Sequence, residues 1–406
     1  MDAWNKRGKR VEHGVDTPLS TWYWRRWHQR PDMGESPSGH FSRGRRRERG
    51  RRYNMKTGWD DPKWKELEKK TETARQIFGA ERVRAAEMMD DCVQYPIDEI
   101  VKLAKWSLRL ENETDAEVLR EETEKFRAFR ESIQKKSDAP EPIQLWPGQN
   151  PPVMTDYTDN RDYRYNHNPD WKPRMYFIPA EGTEKPAGAV IFCAGGDHGE
   201  ANVHEAYQDA LDFAGKGYQS FILLNRTNHN PWNEKEAGAD AARAVRYVRA
   251  HAADYGIGER NIAFAGFSNG GLTGEALIEY YSGKQKVADY FPDYVPDALD
   301  DIDATPDAFL CIYGPRFAGS SFDWDGVVYP PVFFAVGRKD GAMDNLNAVW
   351  PDLMQHHVPV EVHTFAGTPH GQAGAKIFHD GVVEYPNFEL WQELADYFLQ
   401  DLFHNR

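Results

Sequence analysis

Short apolar runs that alternate with polar, helix-compatible stretches dominate the chain from about residue 170 onwards. A short continuous apolar run is typical of a strand that is buried on both faces, as in a mostly parallel sheet. Strands that alternate with helices predict an α/β fold in which helices flank a mostly parallel central sheet. Seven strands are predicted, over Arg174–Ile178, Ala189–Cys193, Ser220–Leu224, Ile262–Ala265, Ala308–Tyr313, Val332–Val336 and Val360–Phe365.

Two of the predicted helices have a regular apolar face. In the stretch from Glu236 to Tyr255, alanine and valine recur at helical spacing, and the arginines between them are predicted to face outwards. The stretch from Asn387 to Leu402 carries its leucines on one side. Amphipathic helices of this kind are expected to cover a sheet.

A charged, helical segment precedes the α/β region, from residue 59 to about 137. Pro62 suits the first turn of a helix, and Gly79 is expected to end that helix. Thr114 with Glu117 predicts a capping box at the start of the last helix. The apolar stripes of these helices need a surface to cover, so we expect them to pack on the following domain, to form a lid, or to join two chains as a homodimer.

The chain therefore divides into three parts. Residues 1–54 are expected to be a basic, disordered tail, residues 55–138 a helical N-terminal segment, and residues 139–406 the α/β domain. The Pro-rich stretch 139–152 is interpreted as the linker into the last part.

The net charge of −14 hides a strong asymmetry. Residues 1–54 carry 14 Lys and Arg against 6 Asp and Glu, so this tail has a charge of +8 and the remainder a charge of −22. A basic tail can bind RNA, but so acidic a body is a poor nucleic-acid binder. We expect no nucleic-acid partner.

Composition restricts the class of protein further. With 40% hydrophobic residues the chain can bury a sizeable core, yet it contains no apolar run long enough for a membrane span and no signal-peptide core. The expectation is a cytoplasmic protein with no membrane partner. The three cysteines are scattered without metal spacing, and no phosphate-binding glycine loop occurs, so neither a metal nor another cofactor is expected.

The strongest chemical motif follows the predicted strand at Ile262. The chain reads Gly266-Phe267-Ser268-Asn269-Gly270, a serine between two glycines at a strand-to-helix turn. Such a turn exposes the serine hydroxyl at the carboxyl edge of a sheet, and it needs small residues two positions before and two positions after the serine. The sequence therefore predicts Ser268 as a nucleophile, with the amide of Asn269 placed to stabilise an oxyanion. An ordinary glycine-rich turn is the alternative.

A serine nucleophile needs a base and a carboxylate that orients the base. Asp340 comes four residues after the strand that ends at Val336, and His370 comes five residues after the strand that ends at Phe365. Both positions lie just past the carboxyl ends of strands, where active sites of α/β sheets form. Asp340 could instead cap the next helix, and His370 could be a turn residue.

These motifs resemble those of the α/β-hydrolase fold and, within it, of bacterial carbohydrate esterases of the acetyl-xylan and feruloyl esterase type. The similarity covers about two thirds of the chain, from Leu145 to the end, and includes GFSNGG, GRKDG, TPHG and the AGG loop near Gly195. It implies a serine esterase with Ser268, Asp340 and His370 as catalytic triad. It also implies oxyanion amides from Gly196, Asp197 and Asn269, although Asp197 stands where this family usually has glycine.

The aromatic and His-containing loops around Trp232 and Trp324 favour a small-molecule ester substrate with a short acyl group, on a carbohydrate or phenolic alcohol, over an ester with a long lipid chain. A serine peptidase of the same fold and a non-catalytic binding protein are the alternatives. Loops that should follow strand ends supply the candidates for binding substrate: His198, His229, Trp232, Tyr313, Arg316 and Trp324.

Overall fold

A single twisted sheet organises the computed structural model, which describes residues 62–148, 151–152, 172–196, 203–226, 233–283, 285–374, 376 and 383–404. Within these residues eight strands pair in the order β1-β2-β4-β3-β5-β6-β7-β8. The pairs β1–β2 and β2–β4 are antiparallel, and the remaining pairs are parallel. The strands are β1 (Ile143–Gln144), β2 (Arg174–Ile178), β3 (Ala189–Cys193), β4 (Gln219–Leu224), β5 (Ile262–Phe267), β6 (Ala308–Ile312), β7 (Val332–Gly337) and β8 (Val360–Phe365).

Helices cover both faces of this sheet. They are α1 (Pro62–Asp90), α2 (Ile97–Glu111), α3 (Ala116–Ser132), α4 (Val203–Gly215), α5 (Glu234–Ala250), α6 (Asn269–Tyr281), the short α7 (Val287–Tyr290), α8 (Ala342–Gln355) and α9 (Leu390–His404), with a 3₁₀ turn at Ala298–Asp301. Side chains of α5, α6 and α8 join the core on one face, and those of α4 and α9 join the core on the other. The predicted fold class is confirmed.

Burial on both faces explains the apolar runs of the central strands. Every residue of β3, β4, β5, β6 and β7 is buried. In β3, Val190 and Phe192 belong to one core and Ile191 and Cys193 to the other, because successive side chains of a strand point to opposite faces. All seven predicted strands are present, with ends that differ by at most two residues.

The N-terminal helices α1, α2 and α3 form a small core of their own and belong to the same compact unit as the sheet. Phe78 and Phe126 meet edge to face in that core, with ring centroids 5.0 Å apart. At the end of α1, the Asp91 carboxylate accepts hydrogen bonds from Arg174 (2.8 Å) and from the Tyr176 hydroxyl (2.5 Å) on β2. The helical segment is thus tied to the sheet, while a homodimer through it and a boundary at residue 138 stay predictions.

Two predictions about helix ends are wrong. Helix α1 continues through Gly79 to Asp90, because burial of neighbours such as Phe78 outweighs the roughly 1 kcal/mol that glycine costs inside a helix. Helix α3 is capped by Asp115 instead of Thr114. The Asp115 carboxylate accepts from the amides of Glu117 and Val118.

The stretch interpreted as a linker contains an edge strand. Strand β1 lies in this stretch and pairs with β2, and the Leu145 amide donates to the Pro173 carbonyl at 3.2 Å. The Trp146 side chain is buried and donates its indole N–H to Asp240 at 2.9 Å. The linker interpretation is wrong, because this short segment takes its structure from β2 and α5.

The arginines of α5 do not face outwards as predicted. Arg243, Arg246 and Arg249 are buried, because the chain that follows α7 lies against this face of the helix. That chain supplies a carboxylate to each arginine, in the pairs Arg243–Asp297, Arg246–Asp300 and Arg249–Asp307. Buried arginines need such partners, and here the partners lie more than 50 residues further along the chain.

No helix among the described ranges is long and apolar enough to cross a membrane. The predicted basic tail, residues 1–54, lies outside the described residues.

Candidate active site

Ser268 lies in a strained turn between β5 and α6. Its backbone has φ 51° and ψ −114°, a combination that costs a residue with a side chain about 1–3 kcal/mol. The Ser268 amide donates to the Ile312 carbonyl at the end of β6 (2.9 Å), and its carbonyl accepts from the Gly271 amide (2.9 Å). These bonds hold the serine where its hydroxyl projects beyond the carboxyl end of the sheet.

The two flanking glycines are required by close backbone contacts. A Cβ atom on Gly266 would lie 2.2 Å from the Gly270 carbonyl oxygen, and one on Gly270 would lie 2.1 Å from the Cys193 carbonyl oxygen. Since both obstacles are backbone atoms, neither can move aside as the end of a flexible side chain could. The turn is therefore accessible only to a sequence with glycine at these two positions.

We expect Gly270→Ala to lower the free energy of unfolding by at least about 3 kcal/mol, because the added methyl group overlaps the backbone of β3. Urea unfolding measures the difference. Gly215→Ala is the matched control. Nothing lies within 4 Å of a Cβ atom at Gly215, so its free energy of unfolding should change by about 1 kcal/mol or less. Equal stability of the two variants would contradict this account of the turn.

Three side chains meet at the turn in a continuous chain of hydrogen bonds. The Ser268 Oγ lies 2.8 Å from His370 Nε2, and His370 Nδ1 lies 2.8 Å from Asp340 Oδ2. The side chain of His370 is 32% exposed and that of Asp340 only 2%. The imidazole is thus open to the site, while the carboxylate bonded to it is shielded from water.

Backbone contacts between two loops bring Asp340 and His370 together. A Cβ atom on Gly337 would lie 2.3 Å from the Thr368 carbonyl oxygen, so the loops after β7 and β8 approach closely. The Lys339 amide also donates to that oxygen at 2.9 Å. The Asp340 carboxylate has two hydrogen-bond partners. Oδ2 bonds to His370, and Oδ1 accepts from the Ala342 amide (2.8 Å) at the start of α8.

The electrostatics of the site favour the charged form of the histidine. Burial alone would lower the pKa of His370, but the adjacent Asp340 carboxylate and the more distant Glu205 outweigh it and raise the pKa above its ordinary value. A raised pKa strengthens the imidazole as a proton acceptor for the serine.

Amide groups suited to an oxyanion lie on two sides of Ser268. Asn269 is the first residue of α6, so its N–H has no acceptor within the helix. A Cβ atom on Gly195 would be 3.1 Å from Ser268 Cβ, so the loop after β3 packs closely against the turn. Gly196 follows with φ 145°, a conformation that favours glycine, and Asp197 lies outside the described residues. The oxyanion roles of all three stay predictions.

The predicted substrate residues have different placements. His198, His229 and Trp232 lie outside the described residues. Tyr313 is buried, with its ring 5.0 Å from that of His370. Their roles in binding substrate stay predictions.

Arg316 and Trp324 line a surface cavity of about 430 Å³ between the loop after β6 and helix α8. Arg316 is paired with Glu275 and Asp352, and Trp324 stacks on His356 with ring centroids 3.8 Å apart. Both side chains are therefore held by protein partners, and their part in binding substrate also stays a prediction.

Glu205 was not among the site residues predicted from the sequence. This carboxyl is buried behind the loop after β3, where it accepts a hydrogen bond from the Gly195 amide at 3.0 Å. A glutamate in the first turn of a helix is common, and no local pattern marks this one as buried. In the part of the chain that the structure describes, no group of three or more His, Cys, Asp or Glu side chains is arranged to hold a metal ion.

Comparison with known proteins agrees with this geometry at the level of the fold. The crystal structure of an acetyl ester-xyloside bifunctional hydrolase from Caldicellulosiruptor lactoaceticus superposes with a TM-score of 0.50 at 21% identity, covering 66% of this chain and 98% of that one. The strand order, the strained serine turn and this superposition agree. The chain has the α/β-hydrolase fold.

Two other solved structures match with lower TM-scores. Propionate-bound esterase 2 of Thermogutta terrifontis has 18% identity and a TM-score of 0.46, with 63% of this chain and 96% of that one covered. MGS-M1, an α/β-hydrolase enzyme from a deep-sea metagenome library of the Medee basin, has 20% identity and a TM-score of 0.43, with 57% and 93% covered.

Among curated proteins, endo-1,4-beta-xylanase B of Butyrivibrio fibrisolvens is 27% identical over 154 residues. The match covers 37% of this α/β-hydrolase chain and only 21% of the xylanase, about a fifth of that protein's length. No family model matches the chain.

Proposed function

We propose that this α/β-hydrolase is a serine esterase that hydrolyses short-chain carboxylic esters through an acyl-enzyme. The observation that carries the proposal is the continuous hydrogen-bonded chain from Ser268 through His370 to Asp340 at the strained turn. A serine, a histidine and a buried carboxylate in this order form the arrangement by which unrelated hydrolases activate a serine hydroxyl.

In the first half of the proposed reaction, Ser268 Oγ attacks the ester carbonyl carbon while His370 Nε2 takes the hydroxyl proton. The negative charge that develops on the carbonyl oxygen is stabilised by the amide of Asn269 and by the loop after β3. The tetrahedral intermediate then collapses. The bond to the alcohol oxygen breaks, and the alcohol leaves with the proton from His370.

In the second half, a water molecule takes the place of the alcohol. His370 accepts a proton from this water, whose oxygen attacks the acyl carbon. Collapse of the second intermediate breaks the bond to Ser268, returns the proton to its oxygen and releases the acid. Asp340 holds the Nδ1 proton of His370 throughout, so the imidazole presents Nε2 to the serine and its charged form is stabilised.

The proposed substrate class is an acetyl or similarly short ester of a carbohydrate or phenolic alcohol. Two similarities support it: the superposed hydrolase from Caldicellulosiruptor lactoaceticus acts on acetyl esters and xylosides by its name, and the curated relative is a xylanase. Ester hydrolysis also needs less proton transfer from the general acid than amide hydrolysis, because an alkoxide is a better leaving group than an amide anion.

A substrate panel tests this proposal. It compares nitrophenyl esters from acetate to decanoate, acetylated xylo-oligosaccharide, methyl ferulate and a peptide anilide. We expect kcat/KM to be highest for the acetyl or another short ester and to fall steeply with acyl length, because the proposed site accepts a short acyl group. A preference for decanoate would contradict the short acyl group, and a preference for the anilide would indicate a peptidase.

A further inference from the structure

The buried carboxyl of Glu205 joins two parts of the candidate active site. It belongs to the first turn of α4, and its residue is only 4% exposed. Glu205 Oε2 accepts from the Gly195 amide at 3.0 Å, and Oε1 accepts from the Tyr313 hydroxyl at 3.1 Å. One carboxyl group therefore bonds both to the loop after β3 and to the residue that follows β6.

Each of these two partners touches the catalytic groups. Gly195 lies so close to the serine turn that a Cβ atom on it would be 3.1 Å from Ser268 Cβ and 2.7 Å from Glu205 Oε2. The Tyr313 ring meets the His370 ring edge to face. Tyr313 also has φ 41°, a strained conformation for a residue with a large side chain, which its surroundings must hold in place.

We propose that Glu205 is a positioning residue, whose carboxylate fixes the loop that carries the oxyanion amide of Gly196 and supports the His370 ring through Tyr313. The inference rests on the proposed esterase function and extends it. Glu205 does not touch the reacting atoms. It acts through Gly195 and Tyr313, which lie against the side chain of Ser268 and the ring of His370.

The charge state of Glu205 connects this role to pH. Burial raises the pKa of Glu205 to about 7, although the Gly195 amide, the charge of His370 and the Tyr313 hydroxyl lower it. The ionised carboxylate accepts both hydrogen bonds, whereas the protonated acid carries its own O–H and must weaken one of them. Among the described residues, Asp209 is a further titratable group that interacts with Glu205. It lies one turn further along α4, and burial raises the pKa of Asp209 well above its ordinary value.

The sign of the effect follows from these charges. As pH falls through about 7, Glu205 gains a proton and one of its two hydrogen bonds is weakened. His370, whose pKa is raised above its ordinary value, also gains a proton on the acid limb. Both changes lower activity, so the fall of kcat/KM on the acid limb should correspond to the uptake of more than one proton. Removal of the Glu205 charge should lower the pKa of His370, because that charge favours the imidazolium.

Glu205→Gln tests the proposal, since it keeps the shape of the side chain and removes the charge. We expect kcat on a short ester to fall about tenfold to a hundredfold, less than the loss of an entire oxyanion donor, while KM changes little. The acid limb should become a single-proton limb and move to lower pH. Asp212→Asn is the matched control: it changes a half-buried carboxylate on the same helix that is bonded to Gln208 and Gln392, and it should retain the wild-type profile.

A measurement that needs no substrate completes the test. The pKa of His370 can be read by NMR titration of its imidazole, assigned by comparison with His370→Asn. It should be lower in Glu205→Gln than in the wild type. If Glu205→Gln does not fold, Tyr313→Phe replaces it; loss of one donor should raise the pKa of Glu205 and move the acid limb to higher pH.

The outcomes separate this inference from the proposed function. A wild-type protein without esterase activity would refute the proposed function. The difference in His370 pKa between Glu205→Gln and the wild type would still test the effect of Glu205 on His370. Wild-type kcat, an unchanged acid limb and an unchanged His370 pKa in Glu205→Gln would overturn the inference alone. A lower kcat accompanied only by a lower unfolding temperature, with the pH profile unchanged, would also overturn it.

Discussion

Ser268→Ala should reduce kcat on a short nitrophenyl ester by about 10⁵-fold or more, because the proposed reaction has no other nucleophile to form the acyl-enzyme. The variant should remain folded. Only a hydroxyl group at the edge of the site is lost, and the backbone bonds to Ile312 and Gly271 stay in place. Steady-state kinetics gives the loss of activity, and thermal unfolding by circular dichroism gives the stability.

Ser132→Ala is the control for this variant. Ser132 is an exposed serine at the end of α3 whose hydroxyl donates to the Phe129 carbonyl, and its replacement should leave kcat unchanged. Activity of Ser268→Ala within a hundredfold of the wild type, in a protein free of contaminating esterase, would end the assignment of Ser268 as nucleophile.

Asp340→Asn should give the second largest loss, on the order of 10³- to 10⁴-fold in kcat. Asparagine can still accept the Ala342 amide through Oδ1, so the start of α8 keeps its hydrogen bond. Its amide N–H₂ would face His370 Nδ1, however, which favours the tautomer with the proton on Nε2. That nitrogen could then no longer accept the serine proton.

The comparison with Asp344→Asn makes this result specific. Asp344 is an exposed carboxylate in the first turn of the same helix and lies away from His370, so its replacement should change kcat less than about twofold. KM should be similar in all three proteins, since Asp340 stabilises charge that develops only during the reaction. A wild-type kcat for Asp340→Asn would show that the carboxylate only caps α8.

The central strands and the order of the three catalytic candidates could be predicted because each has a local signal. An apolar run between polar segments marks a strand such as β5 or β7. The glycines around Ser268 mark a turn whose geometry leaves no room for other residues, as the contacts of Gly266 and Gly270 demonstrate. Since parallel strands end at one edge of the sheet, Asp340 and His370 could be expected near Ser268.

Features that depend on distant partners could not be predicted. The α5 arginines resemble a solvated helix face until the carboxylates between residues 297 and 307 are placed against them. Strand β1 is only two residues long and exists through its pairing with β2. Glu205 gives no signal of its own, because its burial follows from the approach of Gly195 and Tyr313 in three dimensions.

Helix α1 shows the same limit within one element. Gly79 is a frequent stop signal in an isolated sequence, yet it sits inside a 29-residue helix. The neighbouring Phe78 packs against Phe126 of α3, and this tertiary contact carries the helix past the glycine. Local propensity is thus a weak guide wherever a second element covers the residue.

Covalent labelling with a fluorophosphonate probe tests the central claim most directly, because such probes phosphonylate activated serine hydroxyls. Intact mass and peptide mapping should find one probe per chain, attached to Ser268, and no labelling of Ser268→Ala. Slower labelling of Asp340→Asn would follow from the disturbed histidine. Folded protein that remains unlabelled, or that carries the probe on another residue, would contradict the account and favour a non-catalytic binding role for this fold.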